Sequence, residues 1–150
     1  MVVSSILAAK GTTVATVPRT APLAIVAVEL VRHRVGALVV SPGDGTIDGI
    51  VSERDIVHHL SSQGGAVLDQ PVWSVMSTEV ITCAPDDAVS SVMALMTDRR
   101  IRHVPVVDAG GMVGIISIGD VVKHRIDELE RDRTELLEFI TAKETRVSKF

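Results

Sequence analysis

Residues 49–57 read GIVSERDIV, and residues 114–122 read GIISIGDVV. The two stretches lie 65 residues apart and share glycine, isoleucine, serine, aspartate and valine at matching places. In each, an apolar β-branched run leads into Ser-x-x-Asp, a pattern typical of a strand that passes directly into a helix. The chain therefore contains an internal repeat, and the two strand–helix junctions are its most similar parts.

The repeat continues upstream of these junctions. Residues 14–40 align with residues 80–106, mainly in hydrophobic pattern, and residues 3–7 align with residues 72–76. We therefore assign the opening residues to the first repeat, and we interpret residues 61–70 as the linker between the repeats.

Each repeat has the same predicted order of elements: strand, helix, β-hairpin, helix. One copy of about 60 residues buries little surface, so two copies are expected to pack as one pseudo-twofold α/β unit. In the first and second copies respectively, the predicted strands are residues 14–17 and 80–83, the helix starts are Thr20–Pro22 and Asp86–Asp87, and the hairpins are residues 37–51 and 103–117.

The two junctions have a purely structural interpretation. Ser52 with Asp55, and Ser117 with Asp120, have the spacing of a capping box. In that motif the hydroxyl accepts from a backbone N–H of the first turn, and the acid accepts from the N–H of the serine. Capping is a common preference, so this interpretation alone explains the spacing.

The same geometry also suits a ligand. A helix N-terminus offers free N–H groups and partial positive charge to an anion, and a serine hydroxyl there can contact a phosphate. An aspartate one turn later can accept from a vicinal diol, as acidic residues do for ribose. Arg54, Arg102 and His103 would add positive charge near the first junction, whereas the second has Gly119 in place of Arg54. We therefore expect two clefts that differ in charge and affinity.

The doubled pattern Gly-hydrophobic-hydrophobic-Ser-x-x-Asp-hydrophobic-hydrophobic resembles a tandem pair of cystathionine β-synthase (CBS) domains. Residues 33–40 (HRVGALVV) and residues 102–107 (RHVPVV) are similar to the second-strand pattern of that family. One departure is Val39, which stands where the second copy has Pro105, the commoner residue in the family. The long charged helix after the second junction is similar to that of small stand-alone CBS-pair proteins.

The resemblance implies a regulatory module that binds adenosine ligands (AMP, ADP, ATP, NAD or S-adenosylmethionine) in clefts between the repeats. It implies that Asp55 and Asp120 hold ribose hydroxyls and that Ser52 and Ser117 approach phosphate. The residues that would surround the adenine are Val14, Ala15, Val35, Gly36 and Ala37 in the cleft with Ser117, and Val80, Ile81, Ile101, Arg102 and His103 in the cleft with Ser52.

Composition excludes several classes of function. A net charge of -4 and a pI near 5.7 leave no overall basic surface for DNA or RNA, and aromatic stacking faces are scarce. A single cysteine, Cys83, excludes an internal disulfide and a multi-cysteine zinc site, and we expect it to be buried and inert. No apolar run approaches the roughly 20 residues of a membrane span, and no secretory signal is indicated, so we expect a cytoplasmic protein.

The histidines offer weaker alternatives. His58 and His59 are adjacent and cannot face one metal from one side of a helix, so we expect surface positions and no metal site. His59 and His124 align between the repeats, which favours a shared packing role. A Ser-His-Asp hydrolase built on Ser117 and Asp120 lacks the Gly-x-Ser-x-Gly elbow, so we do not expect an enzyme.

The C-terminal stretch predicts one long helix from Ile118 to about Ala142, followed by a frayed end at residues 143–150. Apolar side chains recur along it at a spacing of three to four residues, which suits either packing on its own domain or a homodimer seam. The residues of this line are Ile126, Leu129, Arg133, Leu136 and Ile140, with Leu137 beside them.

These inferences combine into one prediction. Two CBS repeats span residues 2–62 and 71–127, and residues 128–150 extend the last helix and form a tail. We expect a dimeric adenine-nucleotide-binding module that senses energy or redox state and acts in trans on an unknown target protein. The alternative is a ligand-free dimeric scaffold whose Ser-x-x-Asp motifs only cap helices.

Overall fold

The structure, a computed structural model, describes residues 1–148. It confirms the mixed helix and strand class and, in each repeat, the predicted order of helix, β-hairpin and helix, whereas the predicted first strand forms only in the first repeat. Its helices are α1 (Val3–Lys10), α2 (Leu23–His33), α3 (Glu53–Gln63), α4 (Val89–Arg99) and α5 (Ile118–Val147), and its strands are β1 (Thr16–Val17), β2 (Ala37–Val40), β3 (Gly49–Ser52), β4 (His103–Asp108) and β5 (Gly111–Ser117).

Each repeat carries a small sheet. In the first, β1 runs parallel to β2, and β2 pairs antiparallel with β3, which sets Ala37 opposite Ser52. In the second, β4 and β5 form the equivalent hairpin with His103 opposite Ser117. Each junction serine therefore lies beside the first residue of its hairpin, so the start of the hairpin and the start of the following helix border the same space.

The first strand of each repeat is shorter than predicted. Residues 14–17 contribute only Thr16 and Val17 to β1, and residues 80–83 form no strand beyond one parallel bridge from Cys83 to Val106. The β-branched composition is the same, but each of these segments reaches only the edge of a hairpin and finds few backbone partners there.

The first long helix of each repeat begins later than predicted. The N-caps of α2 and α4 are Pro22 and Ala88, neither of which makes a side-chain cap. Asp87 instead accepts from the backbone N–H of Ala84 at 2.8 Å and stabilises the turn before α4. These two helices are therefore held mainly by their buried apolar faces rather than by caps.

The two hydrophobic cores do not follow the order of the chain. α1 contributes Val3, Ile6 and Leu7 to the core of the second repeat, although we assigned the opening residues to the first repeat by alignment. Residues 72–76, which align with α1, pack in the core of the first repeat. The repeat boundaries along the sequence stay a prediction, but in space the two equivalent segments are exchanged.

Reciprocal backbone hydrogen bonds support this exchange. The Val72 N–H donates to the Ala21 carbonyl at 2.8 Å, and the Val3 N–H donates to the Asp87 carbonyl at 2.9 Å. The same pairing makes antiparallel bridges of Pro22 with Pro71 and of Val2 with Ala88. Neither repeat completes its core without the other, so the two fold as one pseudo-twofold unit.

The segment interpreted as a linker is structured. α3 continues to Gln63, and residues 65–69 form a 3-10 helix whose Val67 is fully buried in the first core. The segment between the repeats is therefore ordered, because one apolar side chain in a polar stretch is enough to anchor it, and its interpretation as the linker stays a prediction.

The last helix extends further than predicted. α5 has 30 residues, or about 45 Å at the usual rise per residue, and it reaches Val147, so residues 143–147 are helical rather than frayed. The final part of the predicted frayed end, residues 149–150, lies outside the described residues. The members of the apolar line of α5 are about half exposed: Ile126, Leu129, Leu136, Leu137 and Ile140.

Candidate functional site

Both junctions form complete capping boxes. Ser52 Oγ accepts from the Asp55 N–H at 3.3 Å, and Asp55 Oδ2 accepts from the Ser52 N–H at 2.8 Å. Ser117 and Asp120 repeat this geometry with distances of 3.2 Å and 2.8 Å. The structural interpretation of the Ser-x-x-Asp motifs is therefore confirmed, and any further role has to use the atoms that the caps leave free.

The cap at the first junction leaves acceptor capacity. Besides the Ser52 N–H, Asp55 Oδ2 accepts from the Ser52 hydroxyl at 3.0 Å. Within residues 1–148, no hydrogen-bond partner reaches the other carboxylate oxygen, Oδ1. A hydroxyl rotates freely and can donate elsewhere at little cost. Asp55 can therefore accept from an external diol without breaking its helix cap.

An open cleft of about 590 Å³ lies in front of this junction. Its volume is in the range of small-molecule sites. We call it the first cleft, and its lining residues are Gly36, Ala37, Ile50, Ser52, Glu53, Arg54, Asp55, Val57, Ser77, Arg100, Ile101, Arg102 and His103.

Positive charge predominates around the first cleft. Arg54, Arg100 and Arg102 line it, against the carboxylates of Glu53 and Asp55. Guanidinium groups suit phosphate because they present planar, paired donors. At the α3 N-terminus the N–H groups of Ser52, Glu53 and Asp55 already donate, and that of Arg54 has no partner among the described residues. With this N–H and the positive end of the helix dipole, the cleft combines features that bind an anion with a carboxylate that binds hydroxyls.

His103 lies between the two junctions. A Cβ added to Gly36 would lie 3.0 Å from His103 Cε1, so the starts of β2 and β4 are in close contact. Burial, followed by the charge of Lys10, lowers the pKa of His103 below its ordinary value, against the opposing charges of Asp120 and Glu53. The imidazole is therefore neutral near pH 7 and serves as a hydrogen-bonding group there.

The second junction differs from the first. Lys10 Nζ, at the end of α1, donates to Asp120 Oδ2 at 2.6 Å and to the Ile115 carbonyl at 2.8 Å. Burial raises the pKa of Asp120, but the hydrogen bonds from Lys10 and from the Ser117 N–H lower it more, so the pKa lies below its ordinary value. The second carboxylate is thus already compensated by a cation.

The structure brings part of the predicted site together. Ile101, Arg102 and His103 line the first cleft with Ser52, Arg54 and Asp55, in the grouping implied by the resemblance. Gly36 and Ala37 also line this cleft, although the resemblance placed them with Ser117. The half-buried residues Val14, Ala15, Val80 and Ile81 are outside its lining, and Val35 packs against the first core.

Five residues of the first cleft were missing from the sequence-based list: Ile50, Glu53, Val57, Ser77 and Arg100. Arg100 and the aligned Arg34 have left-handed backbone with φ of 53° and 54°, a conformation that costs most residues about 1–2 kcal/mol. Because the two arginines align at the ends of two predicted helices, the sequence could have indicated Arg100 as a residue of the site. No local signal indicated Ser77, because the exchange of segments brings it there.

The chain belongs to the CBS domain family, whose match covers residues 6–62 and residues 72–127. The fold described above, two interlocked repeats with a pseudo-twofold relation, is that of a CBS domain pair.

Known proteins similar to the chain share this architecture. It is 42% identical to the CBS-domain containing protein ATU1752 from Agrobacterium tumefaciens, with a TM-score of 0.81 over 83% of this chain and 99% of that one. It is 32% identical to the CBS domain protein PAE2072 from Pyrobaculum aerophilum, solved in complex with AMP, with a TM-score of 0.70 over 80% of this chain and 89% of that one.

A longer curated relative is the mitochondrial CBS domain-containing protein CBSX3 of Arabidopsis thaliana. The two are 40% identical over 115 residues, which is 74% of this chain and 56% of CBSX3. The chain therefore spans little more than half the length of this relative.

Neither a membrane span nor a metal-binding cluster is found in the part of the chain that the structure describes. Among residues 1–148, no helix combines the length and the apolar character that crossing a membrane requires. Over the same residues, no group of three or more histidine, cysteine, aspartate or glutamate side chains is arranged to hold a metal ion.

Proposed function

We propose that the chain is a regulatory CBS pair that binds an adenine nucleotide in the first cleft. One observation carries the proposal. A cleft of about 590 Å³ is lined by Asp55, which has a free carboxylate oxygen, by the α3 N-terminus and by three arginines. A carboxylate for a diol beside donors for a phosphate matches the two polar parts of a nucleotide.

AMP is the ligand that we favour. The relative from Pyrobaculum aerophilum was solved with AMP, and the similarity covers four fifths of this chain. AMP also places one phosphate near one diol, which suits a cleft where Ser52 and Asp55 are three residues apart. ADP, ATP, NAD and S-adenosylmethionine remain competitors that share the adenosine part.

The regulatory step that we propose is a shift between arrangements of the two repeats. Ser52 and Asp55 come from the first repeat, whereas Arg102 and His103 come from the second. A ligand that contacts both groups stabilises the arrangement in which they are close. Because the nucleotide binds one arrangement of the repeats more tightly than the other, it changes the surface that the chain presents to a second copy or to a target protein in trans.

The exposed apolar line of α5 supports a homodimer in this proposal. Leu136 and Ile140 lie one helical turn apart and are 61% and 45% exposed. Leu136→Glu is expected to convert a dimer into a monomer in sedimentation equilibrium, while Glu138→Leu on a neighbouring position serves as a control that should leave a dimer intact. A wild-type monomer would remove the dimer from the proposal.

Isothermal titration calorimetry with AMP, ATP and NAD tests nucleotide binding. Asp55→Asn keeps an acceptor for the Ser52 N–H but removes the charge and one acceptor position, so AMP affinity should fall by about tenfold or more. Ser52→Ala should weaken binding similarly. Ser117→Ala is the matched control, because it removes the equivalent cap of the second repeat and should leave binding to the first cleft unchanged.

The alternatives give different results. If no nucleotide binds and both serine variants lose only about 1 kcal/mol of stability, the motifs are caps alone and the chain is a scaffold. Because CBS pairs are regulatory proteins, we expect AMP and ATP to be recovered intact after incubation. Hydrolysis that is lost in Ser117→Ala would instead revive the hydrolase alternative.

A further inference from the structure

Because α1 packs on the second repeat, one of its side chains lies at the second junction. The first junction has no equivalent of this side chain at the aligned position. Lys10 is 110 residues from Asp120 in the chain, yet its ammonium lies 2.6 Å from Asp120 Oδ2. It also donates to the Ile115 carbonyl at 2.8 Å. Both ends of the contact are only partly exposed, with 33% and 24% of the side chains accessible.

Within residues 1–148, Asp55 makes no ion pair, although arginines line the cleft in front of it. The offset that aligns residues 3–7 with residues 72–76 aligns Lys10 with Glu79, so the charge at this position is reversed between the repeats. At Asp55, the place of the ammonium is taken by the Ser52 hydroxyl, which donates to Oδ2 at 3.0 Å. The second carboxylate is therefore held in a direct ion pair, whereas the first is not.

A ribose diol meets different conditions at the two carboxylates. At Asp120, Oδ2 already accepts from the Ser117 N–H and from Lys10. Asp55 Oδ2 also accepts twice, from the Ser52 N–H and the Ser52 hydroxyl. A diol that uses both oxygens of the carboxylate therefore has to displace a rotatable hydroxyl at Asp55, but an ammonium at Asp120. Displacing it breaks a charge-assisted hydrogen bond and leaves a lysine close to His103, which is neutral and offers it no charge in return.

We propose that Lys10 closes the second junction to ribose, so that each chain binds one nucleotide, in the first cleft. This inference rests on the proposed function, since it determines which of two similar junctions takes the ligand. Lys10 is a specificity-determining residue in this scheme: it belongs to neither Ser-x-x-Asp motif, and it acts only because α1 packs on the other repeat.

Titration calorimetry with AMP on three proteins tests the inference. Wild-type protein should bind one AMP per chain. Lys10→Met keeps most of the side chain's length but removes the charge, and it should bind a second AMP per chain with an affinity within about tenfold of the first. Lys10→Arg restores a cation and should return the stoichiometry to one.

Two controls locate the effect. Lys123→Met removes a positive charge from an exposed position of α5 and should keep a stoichiometry of one. Adding Ser117→Ala to Lys10→Met should remove only the second site. The far-ultraviolet circular dichroism spectrum shows whether Lys10→Met keeps its fold. If it does not, Lys10→Gln replaces Lys10→Met in the titrations.

The outcomes separate this inference from the proposed function. Two sites in the wild type, or a single site in Lys10→Met, would overturn the closing role of Lys10 while leaving nucleotide binding intact. Weaker total binding in Lys10→Met would also overturn it, because Lys10 would then be a phosphate ligand. One site in Lys10→Met but none in the wild type would support the closing role and contradict binding in the first cleft. No binding by either protein would overturn both.

Discussion

The exchange of α1 between the repeats can be tested through one close contact. Leu7 of α1 is 6% exposed and lies in the core of the second repeat. A Cβ added to Gly114 of β5 would lie 2.7 Å from Leu7 Cδ2, 3.1 Å from Cδ1 and 3.5 Å from Cγ. Gly114→Ala should therefore overpack this contact, and Leu7→Ala should relieve it, since that change removes the same three atoms.

The expected magnitudes follow from these distances. Gly114→Ala alone should lower the free energy of unfolding by about 1–3 kcal/mol, because buried atoms have to move aside. Leu7→Ala alone should lower it by about 2–5 kcal/mol through lost burial and a cavity. In the double variant the new methyl group occupies part of that cavity, so the loss should be smaller than the sum by about 1–3 kcal/mol.

Urea denaturation of the wild type, both single variants and the double variant measures this coupling. Gly49→Ala is the matched control, because its Cβ would lie 2.7 Å from Met76 Sδ and from the Ser77 carbonyl oxygen, and its three nearest atoms include none of α1. Its effect should add to that of Leu7→Ala. Additivity of Gly114→Ala with Leu7→Ala to within about 0.5 kcal/mol would show that α1 does not pack on the second repeat.

Three further measurements probe individual groups. Burial, with the charge of Asp87, raises the pKa of the Cys83 thiol to about 11. The native protein at pH 8 should therefore react with iodoacetamide only as fast as it unfolds, and rapid labelling would contradict the buried position. The pKa of His103 is lowered, chiefly by burial, so the unfolded state takes up the proton first, and stability should decline as the pH falls from 6.5 toward the lowered pKa. His103→Gln should flatten the dependence of the melting temperature on pH in that range, and an unchanged slope would assign it to another group. Ser117→Ala should cost about 1 kcal/mol by thermal denaturation, through loss of the capping box of α5, and no loss would mean that the cap is unimportant.

Much of the site was predictable because its key interactions are local. Ser52 caps the N–H of Asp55, three residues away, and the backbone of one helical turn determines that contact. The second repeat confirmed the pattern independently, since Ser117 and Asp120 repeat it. Predictions were less accurate where an element depends on distant partners. Residues 80–83 have β-branched composition but find only one ladder partner, and residues 61–70 look polar although Val67 is fully buried.

The assignment of residues to the two clefts shows the same difference between local interactions, which were predictable, and contacts with distant partners, which were not. Arg102 and His103 were expected beside Ser52, and they line the first cleft. Gly36 and Ala37 were expected beside Ser117, but the starts of β2 and β4 contact each other closely at Gly36 and His103, so both strands border one cleft. Alignment of two repeats says which residues are equivalent, and it does not say how close the two copies approach.

The amino-acid sequence by itself determined the duplication, the order of helix, hairpin and helix in each copy and the two helix caps, because patterns of a few residues specify turns and helix starts through short-range contacts. Only the tertiary structure decided that α1 completes the core of the other repeat and that Lys10 reaches Asp120. Those contacts join residues about a hundred positions apart, and they exist because neither small repeat can bury its apolar surface without a segment of the other.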